Sequence, residues 1–202
     1  SVADTAAALD AMAGPELGDA NWAPPPAEPF AAAAAREPGR LRIGYTVKPT
    51  LDLPVDASHV QQVEEFAKLL EGLGHDVEPA EIPWDNSELM LMFSKVFGGW
   101  ISTLTRFAGT VSGRDVTEDA VERLTWELWQ LTEKIDALDW ITSNATANVF
   151  ARALITAMDP YDVILSPVLN LRPVPVGWID STQGMAAFGR AAEFTSFTAV
   201  IN

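Results

Sequence analysis

From Val60 to Leu73 the apolar residues Val60, Val63, Phe66, Ala67, Leu70 and Leu73 recur every three or four positions. Gln61, Gln62, Glu64, Glu65, Lys68 and Glu71 fill the gaps between them. This 3.6-residue stripe predicts an amphipathic helix, with Asp56 as its N-cap and Gly74 as the glycine that ends it. Short runs of strand type flank the helix. Residues 41–46 read as a strand of a buried sheet and residues 75–79 as a shorter, exposed one. Strand, helix and strand at this spacing predict a parallel βαβ unit with a right-handed crossover.

Helical periods dominate the chain after Ile82. Ser87 is in position to cap a helix running through Met90, Phe93, Val96, Phe97 and Ile101 and fading near Gly109. Asp115 with Glu118 three residues on has the spacing of a capping box, and the helix beyond carries Val121, Leu124, Leu128, Leu131 and Ile135 on one stripe. A further helix is expected over 137–158, stopped by Asp159-Pro160. A strand over 161–167 follows, then a Pro- and Gly-rich loop and a last helix over 183–200. At the other end, residues 2–13 are an Ala-rich helix closed by Gly14-Pro15, 16–29 a proline-rich connector, and 30–37 two turns of helix. The expected fold is therefore α/β: a few mostly parallel strands at about 41–46, 75–79 and 162–166 in predominantly helical surroundings. Residues 1–40 form a helix and Pro/Ala-rich connector, and 41–202 the α/β part.

Composition narrows the function classes. Apolar residues at 48% against 20% charged supply enough material for a packed core, which sets disorder aside. Twenty-eight acidic against thirteen basic residues give a net charge of −15. Such a surface repels phosphate backbones and anionic lipids, so neither nucleic acid nor membrane is an expected partner. There is no cysteine, hence no disulfide and no thiolate metal site. His59 and His75 alone are too few for a histidine-based zinc site, so no metal or cofactor is expected. The cysteine-free composition fits a cytoplasmic protein, and an opening on Ser1 instead of a start Met suggests a trimmed or excised chain.

Several familiar chemistries find no support. The strand at 41–46 is followed by Val47-Lys48-Pro49-Thr50, with no glycine cluster to cradle a phosphate. No serine stands in a Gly-x-Ser-x-Gly context, and both histidines read as solvated surface residues. Asp159 and Asp162 bracket Pro160-Tyr161, either as an acid–base pair or as ordinary turn formers. Among seven tryptophans, Trp100, Trp126, Trp129 and Trp140 fall with Phe97 in the helical half. Most are expected in the core, with a few lining an apolar groove.

Three stretches, taken in order, resemble the amidase-signature family. They are the opening Ser1-Val2-Ala3-Asp4-Thr5 through Gly14-Pro15; the strand and helix that end in Leu70-Glu71-Gly72-Leu73-Gly74-His75-Asp76-Val77-Glu78; and Tyr161-Asp162-Val163-Ile164-Leu165-Ser166-Pro167 with the Phe194-Thr195 and Phe197-Thr198 run that leads to Asn202. Arg114-Asp115-Val116-Thr117 and Trp126-Glu127 look most like the branch that includes nylon-oligomer (cyclic-dimer) hydrolases. The resemblance implies amide hydrolysis through an acyl-enzyme, with a serine nucleophile, a second serine at a cis peptide and a lysine base. None of these carries over. No Gly-Gly-Ser-Ser-Gly stretch occurs, and Lys48, Lys68, Lys95 and Lys134 stand in no matching context.

The expectation is thus an amidase fragment, inactive alone, with no catalytic residue of its own. Its partner is a missing N-terminal catalytic half, and the parent's substrate is a small-molecule amide. By position, the resemblance makes Phe97, Trp100, Ser166, Pro167 and Leu169 candidates for lining the substrate pocket, against ordinary packing as the alternative. A natural non-catalytic interaction module on the same fold is the other functional reading. Strand edges and helix faces left without neighbours predict self-association in either case.

Overall fold

Residues 1–85 and 88–201 are described by a computed structural model, in which the chain forms two compact units, Ser1–Leu41 and Arg42–Asn202. The expected cap at Ser87 and the terminal Asn202 lie outside the described residues. In the first unit, α1 (Val2–Met12) starts from a capping box in which the Ser1 hydroxyl accepts from the Asp4 amide. The Asp10 carboxylate near its end accepts from the amides of Phe30 and Ala31, at 2.6 and 3.0 Å. That satisfies the orphan donors at the start of α2 (Phe30–Ala34), whose own N-cap, Pro29, offers no side-chain acceptor.

The second unit is built on β1 (Arg42–Tyr45). A 16-residue helix, α3 (Ala57–Gly72), links it to β2 (Asp76–Pro79). Asp56 caps α3 by accepting from Ser58, and Gly74 at φ +96° turns the chain out of it, both as the pattern predicts. The sheet is completed by β3 (Val163–Leu165), in the order β2-β1-β3 with both pairings parallel. Ile43 lies opposite Val77 on one side and Val163 on the other. A middle strand has neighbours on both edges, which is why Ile43 is buried while β2 is largely exposed. The stripe on α3 is narrower than its spacing suggests. Val63 and Ala67 are buried, but Phe66 and Leu73 remain exposed.

Between β2 and β3 run α4 (Leu89–Ser112), α5 (Arg123–Thr132) and α6 (Ala137–Met158). The boundaries of α6 are those the pattern gives, set by the Asp136 cap and by Asp159-Pro160. Those of α5 are not. Asp115 and Glu118 form no capping box, because the Thr117 carbonyl is taken by the Ala120 amide in a separate turn and the helix begins only at Arg123. α4 crosses α5 closely at Gly98: a Cβ there would collide with the Thr132 methyl. One turn on, the Ser102 and Thr132 hydroxyls are hydrogen-bonded to each other.

The last helix, α7 (Met185–Phe194), is shorter than the 183–200 expected. The amide and hydroxyl of Ser196 are both bound to the Asn170 carboxamide, which holds the chain out of helical register. The core of this unit gathers Ala80, Ile82, Trp84, Leu154 and Phe197, with Phe150, Tyr161 and Ile164 packed around it. Trp84 and Phe197 meet edge to face at 6.2 Å, and the indole N–H donates to the Lys48 carbonyl at 2.9 Å. Trp84 is the buried tryptophan. Trp100 and Trp140 stand exposed and Trp126 and Trp129 half-buried, contrary to the expectation that most of the helical tryptophans fill the core.

Candidate functional site

Phe93 and Phe97 lie one turn apart on α4, so their side chains share a face. Their rings stack with centroids 5.1 Å apart, and Phe188 from α7 stacks on both, at 6.2 and 6.4 Å. These three rings wall a cavity of about 200 Å³ whose remaining lining includes Thr50, Leu51, Thr195 and Ser196. One wall is aromatic and the other carries hydroxyls, an arrangement suited to an apolar chain or ring bearing one polar group.

The hydroxyl side is held by Asn170, which is fully buried. Its Oδ1 accepts from the Ser196 amide at 3.0 Å and from the Ser196 hydroxyl at 2.7 Å. The Thr50 hydroxyl donates to the Ser196 carbonyl. The peptide N–H of Asn170 donates to Phe194, and its carbonyl accepts from Asp56 at 2.7 Å. Three loops are therefore tied together around Asn170 and Ser196. The Ser196 hydroxyl is spent on the carboxamide, which is no base, so nothing activates it as a nucleophile.

Ser166, Pro167 and Leu169 line a different hollow, of about 390 Å³, together with His59, Gln62 and Phe66 of α3. His59 is not the solvated residue its place in the first turn suggests. It is half-buried, and its Nδ1 donates to the Leu169 carbonyl at 3.0 Å. Trp100 faces a third hollow, of about 670 Å³, lined also by Lys95, Ile135, Trp140 and Ile141. The five residues singled out by position thus belong to three separate hollows. Thr50, Phe93, Asn170, Phe188 and Ser196 are not among the site residues the sequence singles out. The Phe93–Phe97 spacing was legible, but its partner Phe188 lies on another helix.

The charged residues hold structure together. The Lys48 ammonium is 2.7 Å from Asp85, and that hydrogen bond raises its pKa above the ordinary lysine value, the opposite of what a base requires. Lys95 pairs with Asp139 at 3.4 Å, and Lys68 and Lys134 are exposed. Asp162 accepts from the Arg42 side chain at 2.9 and 3.2 Å and from the Arg42 amide at 2.8 Å, bonds that lower its pKa to about 2. It fastens the approach to β3 onto β1, which answers the choice between acid–base pair and turn former in favour of structure. Among the described residues no group of three or more His, Asp or Glu is placed to hold a metal, and no helix is long and apolar enough to cross a membrane.

The described residues thus form a small parallel sheet with helices around it and an apolar cavity walled by α4 and α7. The sequence profile of the amidase family matches residues 1–202, and the chain belongs to that family. It is 28% identical over 200 residues to the 6-aminohexanoate-cyclic-dimer hydrolase of Paenarthrobacter ureafaciens, an alignment covering 97% of this chain and 40% of that protein. With the enzyme of the same name from Pseudomonas sp. (strain NK87) it shares 34% over 194 residues, 94% of this chain and 39% of the relative. A putative amidase of Synechocystis sp. is 28% identical over 180 residues, 88% of this chain and 32% of the relative. The solved structure of 6-aminohexanoate cyclic dimer hydrolase shares the fold, with a TM-score of 0.83 at 24% identity over 99% of this chain and 44% of that one. The chain spans about 40% of the length of these hydrolases.

Proposed function

We propose that these 202 residues are the covering part of an amidase, a fragment whose parent hydrolyses a linear or cyclic carboxylic amide through a serine acyl-enzyme. The serine–serine–lysine machinery belongs to the part of the family domain that this chain does not span. The observation that carries the reading is a family match along the whole chain without any Gly/Ser-rich signature in it. The partnered lysines support it, since Lys48 and Lys95 are each held in an ion pair with an aspartate. On this reading Phe97, with Phe93 and Phe188, supplies the apolar wall against which the substrate's methylene or aryl portion lies. Ser166, Pro167 and Leu169 edge a second approach, and Trp100 a third. The relatives' cyclic amide of 6-aminohexanoate is the first substrate to examine.

The 202-residue chain, assayed against 6-aminohexanoate cyclic dimer and a panel of aryl and aliphatic amides, should give neither a burst nor steady turnover. A rate that one serine-to-alanine substitution abolishes would place an acyl-enzyme within the chain and end the proposal.

A further inference from the structure

The helix that carries Phe188 does not cap itself. α7 follows Gly184, which has no side chain to accept from the amides of the first turn. The acceptor comes from another helix. Glu127 of α5 takes the Met185 amide on Oε2 at 2.7 Å, and the Arg123 side chain, one turn back, on Oε1 at 2.8 Å. Both carboxylate oxygens are thus fixed, and the charge lies at the end of α7 where the helix dipole favours it. Gly184 makes the approach possible. At φ +58° it has the left-handed backbone that favours glycine, and a Cβ there would collide with the carboxylate.

In that same first turn of α7, Phe188 stacks on Phe93 and Phe97. The three helices close a circuit. α4 is locked to α5 at Gly98, the neighbour of Phe97, where it meets Thr132. α5 reaches α7 through Glu127, beside the buried Leu128. α7 returns to α4 through its ring. We propose that Glu127 is the positioning residue of the aromatic cavity: it seats the first turn of α7 so that Phe188 completes the wall. The side chain thereby sets what the cavity admits, an amide bearing a single ring or a short unbranched chain. The inference rests on reading that cavity as the parent's substrate pocket.

A plain ion pair does not account for this geometry. Glu127 and Arg123 stand four residues apart on one helix and could pair in solvent, with no need of a glycine at 184 or of a second oxygen turned to α7. The Arg123 side chain, and after it the Met185 amide, hold the Glu127 carboxyl below its ordinary pKa, so the group stays charged at neutral pH. The other side-chain tie near this end of α7, from Arg190 to the Trp178 carbonyl, joins the helix only to the loop before it. The far end is held separately, through Ser196 and Asn170. α7 supplies Ala191 and Ala192 to the lining as well as Phe188, so a shift of its start alters a whole wall of the cavity.

NMR of the 202-residue chain should show ring-to-ring contacts from Phe188 to Phe93 and Phe97, and benzamide should bind against them. Glu127→Ala should lose those contacts and weaken benzamide by at least about fivefold, while circular dichroism stays unchanged. Gly184→Ala, which drives the carboxylate away without altering it, should do the same. Glu127→Gln keeps an oxygen for the Met185 amide and gives up the charge, so ring contacts and binding should stay within about twofold of wild type. Rings that remain stacked in both alanine variants overturn the proposal. So does a loss in Glu127→Gln equal to that in Glu127→Ala, which would assign the effect to the pair with Arg123. Rings that part in Glu127→Ala, in a chain whose wild type binds no benzamide, uphold the seating of α7 and end the substrate-pocket reading instead.

Discussion

The Asn170 carboxamide receives both the amide and the hydroxyl of Ser196, while its own peptide group is shared between Asp56 and Phe194. Removing it strands buried donors, a change that costs about 1–3 kcal/mol where the partners cannot reach water. Asn170→Ala should therefore lower unfolding stability by about that much in urea titrations, whereas Ser196→Ala, which keeps the main-chain bond, should cost only about 1 kcal/mol. Equal losses in the two variants would show that the side-chain bond alone matters. Nothing in Leu169-Asn170-Leu171 announces this role, because Asn170 earns it from partners 26 residues away and from a loop beyond α7. Tryptophan misleads in the opposite way. Its size argues for the core, but the face of the helix decides: Trp84 enters between Ile82 and Phe197 while Trp100 points away.

Elements were read well where a stop signal is local and poorly where it is distant. Asp159-Pro160 closes α6 because proline cannot continue a helix, and Gly74 ends α3 for its left-handed φ, both visible in a few letters. The end of α7 depends on a tertiary hydrogen bond, and the start of α5 on a turn that competes with the capping box. Gly184, at φ +58°, shows a similar dependence. The Glu127 carboxylate occupies the space a Cβ would need and accepts from the Met185 amide at the start of α7. The junction of β1 with β3 carries a pH signature. Arg42 depresses Asp162 from 3.8 to about 2, so the tie is complete above the ordinary carboxylate value and is lost as pH falls from about 4 toward 2. Thermal melts between pH 2 and 5 should show a loss of stability in that window, and Asp162→Asn should lower the melting temperature at pH 5 while flattening the fall below it. An unchanged acid profile in the variant would assign the window to other carboxylates.

At the scale of the molecule, charge and apolar exposure oppose one another. A net −15 drives copies apart over a distance that salt controls, about 10 Å at 0.1 M ionic strength. Within one chain the same like charges oppose compactness, so raising salt from about 0.02 to 0.3 M should raise the melting temperature, and a melt that falls with salt would mean that its ion pairs outweigh the repulsion. The fold class was legible because three strands and a helical stripe declare themselves by period. Which helix faces stay uncovered was not, since periodicity marks a face as apolar without saying what lies against it.

The sheet's order has a kinetic side. β1 and β3 are neighbours in space, yet the Arg42–Asp162 tie joins residues 120 positions apart, with α3, β2, α4, α5 and α6 strung between them. Closing so long a loop costs entropy before any bond repays it, and high contact order slows folding. On the ribosome the β1–α3–β2 stretch emerges early and waits, with one flank of its central strand unzipped, until Val163–Leu165 arrives.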